Sequence, residues 1–134
     1  MAKGTGSTDE AVILDVIDSY PRAFEFGDPS LWESLFWLED PQFTVIENDR
    51  PHLMGREYVD FITGLIRQRG PQPSLPRWYN TEVHLISPDI AYATSLRDEV
   101  FPGGLEKTSR ITLVLKKRGE RWKILHAHFS LVPG

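Results

Sequence analysis

His126 and His128 lie two residues apart, so on an extended strand both imidazoles project from one face and approach a common point, as two ligands of a metal site would. A third ligand would have to come from a neighbouring strand, with His84 as the candidate. The remaining donor inventory is thin, because the chain has no cysteine and only four histidines. No metal and no cofactor is therefore expected. Glu39, Asp40, Glu47 and Asp49 form a second grouping, which offers either a carboxylate pair for acid/base work or a site for a hard cation. Their spacing fits no EF-hand loop, and an acidic solvated rim is the expectation. Trp32 and Trp37 are five positions apart and cannot share a helix face, which assigns Trp32 to the core and Trp37 to the mouth of a pocket.

Composition narrows the function classes. With 134 residues, 40% hydrophobic and 25% charged, the chain has material for one domain with a real core. The net charge of −4 is mixed along the sequence, which argues against nucleic acid or an anionic membrane as partner and for a small molecule or another protein. The absence of cysteine removes disulfides and thiolate catalysis. The first residues are small and polar, and no apolar run approaches the roughly 18 residues of a membrane span, so a cytoplasmic location is expected.

The elements that must position these groups follow from periodicity. Residues 1–6 read as a disordered lead-in and 7–134 as a single domain, with Ser7 and Glu10 at capping-box spacing. Ile13, Val16, Ile17, Tyr20 and Phe24 repeat at three and four, which predicts a helix to about Phe26, kinked or broken near Ser19–Tyr20 by Pro21. Asp28-Pro29 opens a short second helix through Trp32, Leu35 and Phe36. A strand at 43–47, a turn at 48–51 and a brief return strand at Leu53-Met54 precede a third helix from Gly55 to Gly70, whose face is Tyr58, Val59, Ile62, Leu65 and Ile66. After a Pro-rich loop at 71–76, four strands near 77–86, 90–101, 105–118 and 121–132 have short connectors and form an antiparallel meander. The order α-α-β-β-α-β-β-β-β predicts an α+β domain with helices packed on one face of a sheet.

That order, with Phe26-Gly27-Asp28, Trp32, Leu35-Phe36, the run His52 to Glu57 and the closing run Arg121 to Ser130, resembles the nuclear transport factor 2-like superfamily and, within it, the SnoaL-like proteins. The resemblance covers about residues 8–132. It implies an NTF2-like cone, three helices on a strongly curved antiparallel sheet enclosing a pocket, and commonly a homodimer through the outer sheet face. It implies no single activity, because the superfamily holds isomerases, cyclases, dehydratases and hydrolases beside pure binding or assembly domains.

Through the spacing from Tyr20 to Gly27-Asp28, the resemblance to the ketosteroid isomerase branch matches Tyr20 to an oxyanion-binding tyrosine and Glu47 to the region of the proton-moving carboxylate. The branch's second oxyanion donor falls at Leu113, which cannot donate, so steroid-type isomerisation is disfavoured. The resemblance to the calcium/calmodulin-dependent kinase II association domain places Val59, Thr94, Leu113 and Phe129 where that domain carries charged pocket residues, which makes this pocket greasy. The expected lining is Phe24, Trp32, Trp37, Val59, Ile62, Thr94, Leu113, Ala127 and Phe129, suited to a small apolar or aromatic ligand. The same parity puts Leu115 and Leu125 inside, and Trp122, Ile124, His126 and His128 outside, with Trp122, His126 and His128 in the dimer contact. Two functions stay open: cofactor-free acid/base chemistry in the cone, of isomerase, cyclase or hydratase type, and a non-catalytic ligand-binding or homo-oligomeric assembly module.

Overall fold

The computed structural model describes residues 2–47, 53–71, 77–101 and 103–133; the expected turn at 48–51, with Asp49, and the loop at 72–76 lie outside them. Helix α1 spans Ala2–Phe26, so helical backbone continues on the N-terminal side of Ser7, and it runs through Pro21 without the expected break. A proline costs an interior helix about 3 kcal/mol. Ile13, Ile17, Tyr20 and Ala23 are all buried on one stripe, and burying each large apolar side chain contributes roughly 1.5–3 kcal/mol. The stripe on both sides of Pro21 therefore outweighs the lost bond.

Gly27 ends α1 at φ +63°. Helix α2, Pro29–Glu33, starts as expected, with the Asp28 carboxylate accepting from Leu31 N at 3.0 Å and Pro29 in the first turn. Helix α3, Arg56–Arg69, turns Tyr58, Val59, Ile62, Thr63 and Ile66 inward. The strands are β1 (Thr44–Glu47), β2 (Leu53–Met54), β3 (Arg77–Ser87), β4 (Ile90–Phe101), β5 (Leu105–Arg118) and β6 (Arg121–Leu131). They form one curved six-stranded sheet in the order β2-β1-β6-β5-β4-β3. The meander β3 to β6 is antiparallel as expected, but β1 lies parallel to β6, with Val45 opposite Ala127 and Glu47 opposite Phe129. That parallel pairing carries Glu47 to the inner end of the sheet.

The ladder between β5 and β6 slips between Val114–His126 and Leu115–Ile124, which leaves Leu125 as an extra residue. A bulge of this kind reverses inside and outside along the strand. Ala127 and Phe129 face the core as expected, but so do Trp122 and Ile124. The expectation that Trp122 joins an outer dimer contact is thereby corrected: its Nε1 donates to Asp9 of α1 at 3.1 Å, and the side chain is buried within the protomer. Lys117 Nζ donates to the same carboxylate at 3.0 Å, and these two donors, Trp122 first, hold Asp9 below the usual carboxylate range. Strict alternation cannot foresee a one-residue slip.

Gly27 also fixes how α1 meets the end of α3, because a Cβ there would sit 2.8 Å from Pro71 N and 2.9 Å from Gly70 C. A left-handed φ costs an L-residue roughly 1–2 kcal/mol, and forcing backbone apart about 1–3 kcal/mol more. Gly27→Ala is accordingly expected to lower the urea-unfolding free energy by about 2–5 kcal/mol. A loss no larger than an ordinary surface change, about 0.5 kcal/mol, would show that this junction gives way freely.

Candidate functional site

Helix α1 carries Tyr20 into the centre of the core, where its ring meets Phe24, Trp32, Phe36, Trp78 and Phe129 with centroids 4.7–6.1 Å away. Its hydroxyl lies 3.0 Å from the hydroxyl of Tyr58 on α3. Tyr58 Oη in turn donates to Glu47 Oε1 at 3.5 Å. The other carboxylate oxygen, Oε2, is 3.8 Å from a guanidinium nitrogen of Arg97 on β4. Arg97 continues to Glu99 at 3.2 Å and to Ser109 Oγ at 3.3 Å, and its guanidinium carbon lies 4.6 Å from the centre of the Phe129 ring. A polar chain of two phenols, a carboxylate and a guanidinium thus runs through a core of aromatic rings.

The local sequence explains the arrangement. On β4 the inward residues Ala91 and Ala93 are small, and Ser95 is only slightly larger, which leaves depth over the sheet for the aromatic side chains. Arg97 follows at the same parity and is buried with them. Glu47 ends the short β1 beside Phe129. The expectation of a solvated Glu47 at the rim is corrected: its side chain is only 11% exposed, because the parallel pairing points it inward. Asp40 is tied instead to Arg118 and to the backbone N–H of Gln42. Glu39 alone of the described acidic grouping is exposed.

Burial, and then the negative charge of Glu47, pushes the Tyr20 phenol far above its usual value. Burial, and then Tyr20 and Glu47, does the same to Tyr58. Both are therefore proton and hydrogen-bond donors across any physiological pH, and Glu47 is the group with basic oxygens. A raised folded pKa means that the unfolded chain ionises first, so the stability tied to both phenols is present below pH about 10 and lost as pH rises beyond it. Of the four tyrosines, Tyr20 and Tyr58 are expected to be absent from the phenolate absorbance of the native protein as pH passes 10, and to appear together with unfolding. Ionisation of all four before the fold is lost would contradict the buried pair.

Of the expected lining, Phe24, Trp32 and Phe129 contact Tyr20 directly, and Val59, Ile62, Leu113 and Ala127 lie in the same core. Thr94 does not join them: it pairs with Thr112 on β4 and β5 between the inward Ala93 and Ser95, and so faces outward. Trp37 is also displaced. Its ring is flanked by Arg118 at 5.0 Å and Lys123 at 4.9 Å, and its Nε1 donates to Lys116 O at 2.8 Å. Because Lys123 alternates with the inward Trp122 and Ile124, Trp37 lies against the outer side of the sheet, away from Tyr20. Residue spacing places Tyr58 on the buried face of α3 without giving its hydroxyl a role, and it does not single out Trp78 or Arg97; the alternation Ala91, Ala93, Ser95, Arg97 is the available signal for the last.

His126 and His128 do face outward, with His126 Nδ1 2.8 Å from Thr44 Oγ1. His84 cannot complete a metal set with them. It lies on β3, three strands from β6, or roughly 14 Å at about 4.8 Å per strand, where it stacks on Tyr92 and reaches Glu82 at 3.3 Å. No grouping of His, Asp or Glu among the described residues has the form of a metal site.

A family model of the SnoaL-like domain matches residues 13–133. No protein of curated function matches the chain. Among solved structures, an uncharacterised protein with a cystatin-like fold from Caulobacter vibrioides is 22% identical, with a TM-score of 0.72 over 92% of this chain and 89% of that one. A protein from Streptomyces avermitilis called a dehydratase of the NTF2-like family is 18% identical, with a TM-score of 0.74 over 96% and 99% of the two chains. A ketosteroid isomerase-like protein from Erwinia carotovora atroseptica is 16% identical, with a TM-score of 0.72 over 92% and 96%. At these identities the likeness is one of fold, the curved sheet and helices of the cystatin-like, NTF2-like class.

Proposed function

The chain belongs to the SnoaL-like domain family, and on that premise we propose that it binds a small apolar or aromatic molecule beside Tyr20 and acts on it by acid/base chemistry without a cofactor. The observation that carries this reading is the continuous path from the Tyr20 hydroxyl through Tyr58 to the Glu47 carboxylate, buried under aromatic rings. In a dehydration, Glu47 takes a proton from carbon, the C–O bond breaks, and the departing hydroxide takes a proton from a tyrosine hydroxyl to leave as water, while the proton taken by Glu47 passes along the Glu47–Tyr58–Tyr20 path to restore that hydroxyl. In an isomerisation, the same carboxylate takes the proton and returns it at another carbon while the hydroxyls stabilise the oxyanion. That solved structures of similar fold are called a dehydratase and ketosteroid isomerase-like supports this class of reaction without choosing within it.

The test is a panel of hydroxylated aromatic ketones, followed by ultraviolet absorbance for turnover and by the indole N–H resonances for binding. Glu47→Gln should reduce turnover by about 10²–10⁴-fold, the usual contribution of a positioned base, with the indole shifts retained. If no member of the panel moves the Trp32 or Trp78 resonance, the reading is wrong.

A second reading has its own observation. Tyr20 already has ring neighbours from α1, α2, β3 and β6 and a hydroxyl partner on α3, as a residue of a closed structural core would. In that case the outer sheet face is the active surface, with His126, His128, Tyr92 and Ile46 pairing two copies. Sedimentation at micromolar concentration measures this directly: a dimer is expected, and a monomer would remove the outer-face contact.

A further inference from the structure

Trp78 on β3 and Arg97 on β4 stand directly opposite each other in the register, and both reach the Phe129 ring, Trp78 with centroids 6.3 Å apart and Arg97 with its guanidinium carbon at 4.6 Å. Trp78 also lies 4.7 Å from the Tyr20 ring. Trp78 Nε1 and Arg97 Nε are buried donors without an acceptor among the described residues, although the terminal nitrogen of Arg97 is engaged by Glu47, Glu99 and Ser109. Buried N–H groups are almost always paired, and two neighbouring exceptions beside one aromatic ring call for an acceptor. Arg97 already faces the Glu47 and Glu99 carboxylates, and Lys107 stands opposite Glu99 in the register. The charges around it balance, so nothing there attracts an anion in excess of a neutral oxygen.

We infer that the ligand is a neutral, ring-bearing molecule with an acceptor oxygen of carbonyl type, held by the N–H groups of Trp78 and Arg97 while its ring packs on Tyr20 and Phe129. The inference rests on the ligand-binding reading above and adds to it the ligand's chemistry and the two donors that select it. In this arrangement Trp78 and Arg97 are binding groups, and the tyrosine–glutamate path remains available for proton transfer.

Three probes of similar ring size separate the possibilities: α-tetralone with a ketone, tetralin without oxygen, and tetralin carboxylate with a charge. The readouts are calorimetric affinity and the indole N–H spectrum of the nitrogen-15 protein, which has four tryptophans to assign. α-Tetralone is expected to bind about tenfold more tightly than tetralin, the ordinary worth of a satisfied buried donor. Only the ketone should move the Trp78 N–H resonance downfield. Trp78→Phe keeps an aromatic ring, a smaller one, and removes the donor, so the ratio of α-tetralone to tetralin affinity should fall whatever the lost ring area does to both. Equal affinities in the native protein would overturn the inference but leave ligand binding standing. A carboxylate that binds better than the ketone would overturn the neutral assignment. Failure of all three to bind at their solubility limits would count against the ligand-binding reading itself.

Discussion

Arg97→Met is expected to destabilise the protein by about 3–5 kcal/mol, because removing one partner of a buried ion pair leaves the other charge uncompensated. Arg97 and Glu47 are 6% and 11% exposed at their side chains, so water cannot take over the lost interaction. Glu47 would retain Tyr58 as a donor, which limits the loss without cancelling it. Adding Glu47→Gln to Arg97→Met should recover much of the stability, since a neutral amide needs no counter-charge and methionine fills the space along Phe129. Chemical denaturation of the two single variants and the double variant gives the coupling between the sites. Additive losses, or a loss below about 1 kcal/mol for Arg97→Met, would show that Glu99 and Ser109 rather than Glu47 are what Arg97 holds.

Much of this architecture was legible in the sequence because it rests on local rules. The Asp28-Pro29 start, the stripe Ile13, Ile17, Tyr20 and the four long strands were all readable from spacing and turn residues, and each is present. The departures come from interactions that no local window contains. Of the kink or break that Pro21 predicts near Ser19–Tyr20, the break is absent, because tertiary burial carries the helix through the proline. Leu125 is a bulge, so alternation counted from His126 and His128 put Trp122 and Ile124 on the wrong face. Trp37 was assigned to the pocket from its distance to Trp32, but Leu35 and Trp37 bond to the backbone of Ile124 and lay this segment along β6, which turns the indole outward.

For the site, the two residues reached through family resemblance, Tyr20 and Glu47, do belong to one path, yet the spacing could not reveal that Tyr58 stands between them. Its hydroxyl is the link, and its position in the sequence is that of an ordinary core residue on the α3 stripe. Arg97 was hidden for the opposite reason: a charged residue in a strand is usually at the surface, and only its burial with Glu47 makes the interior position tolerable. Both omissions concern groups whose role is set by a partner far away in the chain.

Phe129→Ala carries the other large effect. Phe129 is fully buried and touches Tyr20, Trp78 and Arg97, so truncation removes apolar contact and opens a void at the polar path, at an expected cost of about 3–5 kcal/mol. What fills the void is informative. Benzene restores ring contacts only, whereas phenol adds an oxygen that can accept from Arg97 Nε or Trp78 Nε1. A ligand that binds the folded state alone raises the melting temperature in proportion to the logarithm of its concentration over its dissociation constant. Both compounds should therefore raise the melting temperature of the variant by more than they raise that of the native protein, with phenol the stronger. Equal rescue would mean that the void selects by shape and the donors are met by water. No rescue by either would mean that the surrounding rings collapse into the space, and the core around Tyr20 would then be too plastic to hold a ligand in one orientation.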